Sequence, residues 1–475
     1  MRQTQNRAHR GARTNIESGP ARPAASTTAQ LRQGLSQRQL NMIAIGGVIG
    51  AGLFVGSGVV IQATGPAAFL TYAMCGVLIV LVMRMLGEMA TANPSTGSFA
   101  DYAATALGGW AGFSVGWLYW YFWVIVVGFE AVAGGKVLNY WFPAPLWLLS
   151  LCLMVLMTAT NLFSVSSFGE FEFWFAGIKV ATIVIFLGVG TAFVFGFLPG
   201  HGMDFANLSA HGGFFPKGIG AVFAAIVVVI FSMVGAEMVT IAAAESRDPQ
   251  RAIQRATNSV VARIAIFFVG SVFLVVVIMP WDSVELGASP YVAALKHLGL
   301  PGADQIMNAV VLTAVLSCLN SGLYTASRML FVLADRREAP AFLVRVSRRG
   351  VPHIAILCSS AVGFGCVVMA WLAPGTVFLF LLNSSGAVIL FVYLLIALSQ
   401  IVLRRRTPAE KLKVKMWFFP ALSILTVAGI IAVLVQMAFD RNAHTQLWLS
   451  LLSWLVVVAV YVVARVATRR PLRRV

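Results

Sequence analysis

Two short stretches of the sequence place glycine beside small or polar residues inside otherwise apolar runs. In the first, residues 46–52, five of the seven residues are Gly or Ala. In the second, residues 231–237, Gly235 follows Ser232 and precedes Glu237. Glycine in a helix interior costs about 1 kcal/mol relative to alanine, so both stretches predict interrupted helices. For the first stretch, close helix packing through small residues is an equal alternative.

An interrupted helix can bind a zwitterion. The second half of the helix begins with free N–H groups that carry partial positive charge, and the first half ends in free carbonyls. A carboxylate binds the former, and an ammonium group binds the latter. The two stretches therefore predict a site for a small amino acid at mid-membrane depth.

Three ionisable residues lie well inside apolar runs: Glu130, Lys179 and Glu237. Each costs about 2.5–3.5 kcal/mol near the centre of a span, so each needs a partner or a function. Lys179 can tether helices by donating to carbonyls of the first interruption, or it can bind and release a proton. The two roles are compatible, and the sequence leaves both open.

The remaining candidate residues are given roles according to their positions in the apolar runs. Glu237 can accept from backbone donors of the second interruption or carry a proton. Glu130, near the outer end of a long run, is expected at the lipid interface, and it is also a candidate structural or proton-coupling charge. Phe231 borders the interruption, where its ring can cover a site. Ser317, Asn320 and residues 383–385 are candidates for the side-chain pocket.

The composition predicts an integral membrane protein. The 475 residues are 59% hydrophobic and 11% charged, whereas soluble domains carry about 25% charged residues. The net charge of +17 comes from loops and tails without interleaved aromatics, which argues against nucleic-acid binding. The five cysteines form no CxxC pair, and no two of the six histidines have ligand spacing, so neither a metal nor a cofactor is predicted.

The apolar runs predict an all-α membrane protein, because lipid offers no partners for backbone groups and each span of about 20 residues must pair its own. Twelve runs are long enough: 39–64, 66–91, 108–138, 145–163, 171–198, 217–245, 259–279, 304–334, 353–372, 375–402, 416–438 and 446–466.

These runs predict a domain order. Residues 1–38 form a disordered cytoplasmic tail, 39–198 and 217–403 form two five-helix repeats, 416–466 form two further helices, and 467–475 form a basic cytoplasmic tail. An odd number of spans per repeat inverts the second repeat and makes spans one and six equivalent. Since 29 of the 34 Lys and Arg residues fall on the side of the N-terminus, both termini are expected in the cytoplasm.

Several stretches carry a family resemblance. Residues 46–54 resemble the first-span signature of the amino acid–polyamine–organocation superfamily, and 116–124, 168–174, 231–246 and 317–325 are similar to its bacterial amino acid permease branch. The likeness runs from about residue 35 to 465 and is closest to the GABA (4-aminobutyrate) permeases.

The resemblance implies a LeuT-like five-plus-five inverted repeat with broken helices 1 and 6, in a bacterial inner membrane, and proton-coupled uptake by alternating access. It implies a carboxylate site at the amides of Gly50, Ala51 and Gly52 and an amine site near Val48, Phe231, Ser232, Val234 and Gly235. The family's fifth-span lysine and sixth-span glutamate match Lys179 and Glu237. Some relatives have serine in place of Ala51 or tryptophan in place of Phe231.

Other functions fit the sequence less well. A membrane-embedded enzyme would need a catalytic cluster at a membrane face, a channel would need pore-lining rings, and a sensor would need an output domain. Within the transporter class, proline, aromatic, basic and other neutral amino acids remain open as substrates.

Overall fold

The computed structural model describes residues 38–39, 42, 49–95, 97–163, 165–197, 203–238, 240, 248–287, 289–299, 302–373, 376–440 and 443–469. All regular elements in these residues are helical, as the apolar runs predict. The α-helices are α1 Ala51–Phe54, α2 Gly56–Thr64, α3 Ala68–Ala92, α4 Ser98–Leu107, α5 Gly109–Leu138, α6 Leu146–Phe163, α7 Val165–Val194, α8 Ile219–Ala224, α9 Ile226–Met233, α10 Pro249–Arg263, α11 Ser271–Ile278, α12 Pro290–His297, α13 Ala303–Asp335, α14 His353–Leu372, α15 Val377–Arg406, α16 Ala421–Phe439 and α17 His444–Arg469.

Ten stretches of the described residues are long and apolar enough to cross a membrane, judged by length and composition. The first of them, Ala51–Ala92, contains 42 residues and is divided by a 3₁₀ turn at Gly65–Ala67. Gly65 has φ 75° there, a conformation that glycine adopts readily. This stretch therefore holds the end of one predicted span and all of the next, while Ile219–Met233 is a shorter apolar helix.

Helix α5 lies at the centre of the packing, with 22 of its 30 residues buried. It contacts α4, α6, α13, α14, α15 and α17. In contrast, only 28% of the apolar window of α16 and 11% of that of α17 is buried. Exposed apolar surface of this extent suits contact with lipid, so those two helices face outward. The polar residues Ser114 and Glu130 of α5 are buried and face protein.

Helix α7 buries one stripe of its surface. The buried residues follow one another at intervals of three or four, which places them on one helical face. They are Phe168, Glu172, Ala176, Lys179, Ile183, Phe186, Gly190 and Val194; Gly169, beside this stripe, is also buried. Because α7 packs against α13, this stripe carries two ionisable side chains into the protein interior.

Candidate functional site

The first interruption lies at the start of α1. Gly50 is extended (φ −135°, ψ −159°) and the helix begins at Ala51, so the first amides of α1 have no partner within the helix. The amide N–H of Ala51 donates to both carboxylate oxygens of Glu130 at 3.2 Å. Residues 43–48 would form the other side of this interruption. They include Val48 and lie outside the described residues.

The second interruption lies at the end of α9. The helix ends at Met233 because Val234 is extended (φ −67°, ψ 147°), and Gly235 follows with φ 119°. That conformation favours glycine, which explains why a lone glycine is sufficient to stop this helix. The last carbonyls of α9 thus lose the amides that a continuing helix would supply.

The two interruptions face each other across a narrow gap. A Cβ atom added to Gly52 would lie 2.7 Å from the Cα of Ser232, so only glycine allows this approach of the two backbones. The cavity between them has room for roughly one water molecule. Its lining residues are Gly50, Gly52, Phe122, Trp123, Val126, Glu130, Phe231, Ser232, Val234 and Cys318.

Glu130 belongs to this cavity and not to the lipid interface, so the sequence-based placement is wrong. Its residue surface is 2% exposed, because α5 is surrounded by other helices at that level. Its carboxylate bonds the Ala51 amide, one of the groups to which the resemblance assigns the carboxylate of a bound amino acid.

Lys179 joins α7 to the first interruption and to α13. Its Nζ donates to the carbonyl of Ile49 at 2.9 Å and to Oγ of Ser317 at 2.8 Å. The Ser317 hydroxyl in turn donates to Oε1 of Glu172 at 2.7 Å. The contact with Ile49 is the tether considered in the sequence analysis, while a role of Lys179 in proton coupling stays a prediction.

Glu172 is a buried carboxylate that the sequence analysis did not single out. It lies at the beginning of a predicted span, where a charged residue does not by itself indicate a function. Its distance of seven residues from Lys179 is a usable signal, because residues seven apart lie on one helical face.

Glu237 links the second interruption to two other helices. Its carboxylate accepts from the Gly235 amide at 3.2 Å, from the Tyr119 hydroxyl at 3.1 Å and from the Tyr393 hydroxyl at 3.3 Å. It is therefore held to α5 and α15 as well as to its own backbone. Whether it also carries a proton stays a prediction.

Aromatic rings close one side of the cavity. The ring of Phe231 contacts that of Phe129 edge to face with 4.8 Å between centroids, and that of Phe122 at 6.1 Å. The Ser232 hydroxyl donates to the carbonyl of Val229 at 2.7 Å. Ser232 thus uses its side chain within α9, and its backbone approaches Gly52.

The polar residues considered for the side-chain pocket have other contacts. Ser317 bonds Lys179 and Glu172, Asn320 accepts from Asn161 at 2.8 Å, and Ser385 donates to the carbonyl of Leu381. The side chains of Asn383 and Ser384 lie outside the described set. The lining comes instead from Trp123, Val126 and Cys318, which makes it mainly apolar.

A second, larger cavity has a volume of about 780 Å³. Ala133 lines it on α5, one helical turn beyond Glu130, and Val55 lines it directly after α1. Its charged residues are Lys136, Glu285, Lys296 and Asp304. We call this space the vestibule; one helical turn separates it from the cavity between the interruptions.

Comparison with known proteins identifies a family model described as "Amino acid permease", which matches residues 39–475. The chain is 53% identical to the "Gamma-aminobutyric acid permease" of Bacillus subtilis (strain 168), over 92% of this chain and 94% of that protein. It is 49% identical to the "Probable GABA permease" of Pseudomonas aeruginosa, over 88% and 89%. It is 47% identical to the "Gamma-aminobutyric acid permease" of Escherichia coli (strain K12), over 87% and 90%.

Proposed function

Because the chain belongs to the amino acid permease family, we propose that it takes up 4-aminobutyrate (GABA) or a closely related small amino acid, together with protons, by alternating access. Permeases for proline, aromatic, basic or other neutral amino acids are the alternatives. The observation that carries the proposal is the pairing of a helix start at Ala51 with a helix end at Met233 across one cavity. Such a pair presents amides to a carboxylate and carbonyls to an ammonium group.

The lining of this cavity supports an unbranched substrate. Glu130 is the one ionisable carboxylate among its lining residues in the described part of the chain, and most of the others are apolar or aromatic. A methylene chain between two charged ends matches such a surface. Since the cavity holds about one water, binding must also move part of the lining, and the Glu130 side chain is the part that competes for the Ala51 amide.

The architecture we propose is the twelve-helix, five-plus-five inverted repeat, with repeats at 39–198 and 217–403, helices eleven and twelve at 416–466, and both tails cytoplasmic in a bacterial inner membrane. The vestibule then opens to the outside, because its loops carry few of the basic residues. The Tyr119–Glu237–Tyr393 hydrogen bonds lie beyond the cavity on the opposite side and close the inward path. Opening of one side with closure of the other moves the substrate without catalysing a reaction.

The charges beside the cavity support proton coupling. Glu130 and Glu172 are both electrostatic neighbours of Lys179. With all three ionised, this cluster has a formal charge of −1, and one added proton makes it neutral. A buried net charge is costly, which makes this cluster a candidate carrier of the coupling proton.

The proposal is tested with purified protein in proteoliposomes. We expect labelled GABA to exchange with internal GABA, to accumulate when an inward proton gradient is imposed, and to lose accumulation on addition of a protonophore. A competition panel of proline, aromatic, basic and small neutral amino acids identifies the substrate. Exchange of another amino acid but not GABA would overturn the substrate assignment, and accumulation that follows a sodium gradient and ignores the protonophore would overturn the coupling ion.

Glu130→Gln should make GABA binding nearly independent of pH. In the wild-type protein the ionised carboxylate competes with the substrate for the Ala51 amide, so the GABA dissociation constant should rise with pH by up to about tenfold per pH unit as Glu130 loses its proton. Binding of labelled GABA to detergent-solubilised protein between pH 5 and 8 measures this. Glu410→Gln, at an exposed position, is the control and should keep the wild-type profile. A wild-type profile in Glu130→Gln would show that this carboxylate does not compete with the substrate.

A further inference from the structure

Glu172 is a fully buried carboxylate that forms no ion pair with any residue in the part of the chain that the structure describes. Its residue surface is 0% exposed, its Oε1 accepts from the Ser317 hydroxyl at 2.7 Å, and its Oε2 has no hydrogen-bond partner among the described residues. A carboxylate in this setting pays a large desolvation cost. Its position therefore calls for a function beyond packing.

The contacts around Ser317 form a directional chain from Lys179 to Glu172. The hydroxyl of Ser317 has a single proton, which it donates to Glu172, while its lone pair accepts from Nζ of Lys179 at 2.8 Å. A proton can pass along this chain in one concerted step. An N–H bond of Lys179 breaks as a new O–H bond forms on Ser317, and the original O–H bond breaks as one forms on Glu172. The products are a neutral amine and a carboxylic acid, so the total charge of the pair is conserved.

The residues at the two ends of this hydrogen-bond chain indicate the direction in which a proton moves along it. Glu130 and Cys318 are the other titratable groups that face Lys179, and both line the cavity. On the far side of Glu172, toward the N-terminal end of α7, the rings of Phe168 and Tyr324 stack with 4.0 Å between centroids. The guanidinium of Arg328 lies 3.9 Å from the centre of the Tyr324 ring.

We propose that Glu172 is a proton-relay residue, which receives the coupling proton from Lys179 through the Ser317 hydroxyl and releases it toward the cytoplasm. This inference rests on the proton coupling and the topology of the proposed function. Release transfers the proton of the carboxylic acid to a cytoplasmic water once the Phe168–Tyr324 stack opens. Oε2, which has no partner in the described structure, is the oxygen available to that water.

Glu172→Gln tests the relay by separating two activities of the same protein. The initial rate of proton-gradient-driven GABA uptake should fall by about a hundredfold, the lower range of what a positioned proton-transfer group contributes. GABA counterflow, which needs no net proton movement, should fall by less than about threefold, since the amide keeps the size of the side chain. Glu170→Gln is the matched control, because Glu170 lies in the same motif with its side chain 46% exposed; it should behave as wild type.

The hydroxyl of Ser317 is tested by a pair of variants. Ser317→Ala removes the bridge and should reduce proton-driven accumulation by at least about tenfold, whereas Ser317→Thr keeps a hydroxyl and should restore most of it. A relay predicts this difference, and a packing role of Ser317 predicts that the larger threonine is the more damaging change.

The outcomes distinguish the relay from the proposed function. If wild-type accumulation ignores the protonophore, proton coupling itself is wrong. If wild type responds and Glu172→Gln accumulates GABA equally well, the relay is wrong while the coupling stands. If Glu172→Gln loses counterflow and accumulation to the same extent, Glu172 has a structural role and the relay is again overturned.

Discussion

Replacing Gly50 with leucine should strongly weaken binding of the substrate while leaving the protein folded in the membrane. A Cβ atom at this position would lie 2.7 Å from Oε1 of Glu130 and 2.9 Å from Cys318, so even the first carbon of a side chain fills the space at the start of α1. The rest of the leucine side chain must enter the cavity. We expect a loss in GABA affinity of roughly a hundredfold, the upper end of what overpacking costs.

Equilibrium binding of labelled GABA, with the melting temperature of the same sample, measures this. Gly365→Leu on α14 is the matched control: it is the same change in another membrane helix, but no atom lies within 4 Å of the added Cβ. The control should bind GABA as wild type does. Normal transport by Gly50→Leu would show that the substrate does not use the start of α1.

Gly50→Ala should give a smaller defect, because its single added carbon requires small shifts of the Glu130 carboxylate and of Cys318, whereas leucine adds three further carbons. A graded loss from alanine to leucine would indicate that available volume limits binding. An equal loss in both variants would indicate instead that the extended backbone of Gly50 is the critical feature.

The helices could be predicted from the sequence, because their pattern is a local property. The predicted runs 145–163 and 353–372 agree with Leu146–Phe163 and His353–Leu372 within one residue. The seventh run was predicted to start at 259, but α10 begins at Pro249. The first residues of α10 are mostly polar, and only one face of the helix is buried. They therefore do not form part of a continuous apolar run in the sequence. The family, predicted from five motifs, is confirmed by the match over residues 39–475.

The contacts of the candidate site could be predicted only in part. A glycine beside a serine and a carboxylate indicated where α9 stops, because backbone conformation depends on nearby residues. The burial of Glu130 could not be inferred, since hydropathy shows how deep a residue lies along a span but not which helices surround it. For the same reason Arg263, which is 8% exposed, was counted with the loop charges although it lies inside the protein.

The hydrogen bonds from Lys179 through Ser317 to Glu172 could not be predicted from the sequence. Ser317 was considered as a pocket residue because it is polar and lies in a span. Its partners, Lys179 and Glu172, are on α7 and more than 130 residues away in sequence. Only the packing of α7 against α13 brings the three together, and one sequence without its relatives contains no signal for that pairing.

Lys179 offers the sharpest test of coupling, because two substitutions separate its charge from its ability to release a proton. Lys179→Ala removes the charge beside Glu130 and Glu172, and breaking a buried ionic cluster in this way costs about 3–5 kcal/mol of stability. Lys179→Arg keeps a cation that can donate to the Ile49 carbonyl, but arginine does not release its proton at physiological pH.

If Lys179 carries the coupling proton, both variants should fail to accumulate GABA under an inward proton gradient, and the internal concentration should not exceed the external one. Only Lys179→Ala should also show a clearly lowered melting temperature. Uptake into proteoliposomes and a thermal melt of the same preparations measure the two effects. Lys217→Ala, at an exposed position, should match wild type in both. Accumulation by Lys179→Arg at the wild-type level would mean that the lysine acts only as a cationic tether between α7, α13 and the first interruption, and that the proton is carried elsewhere.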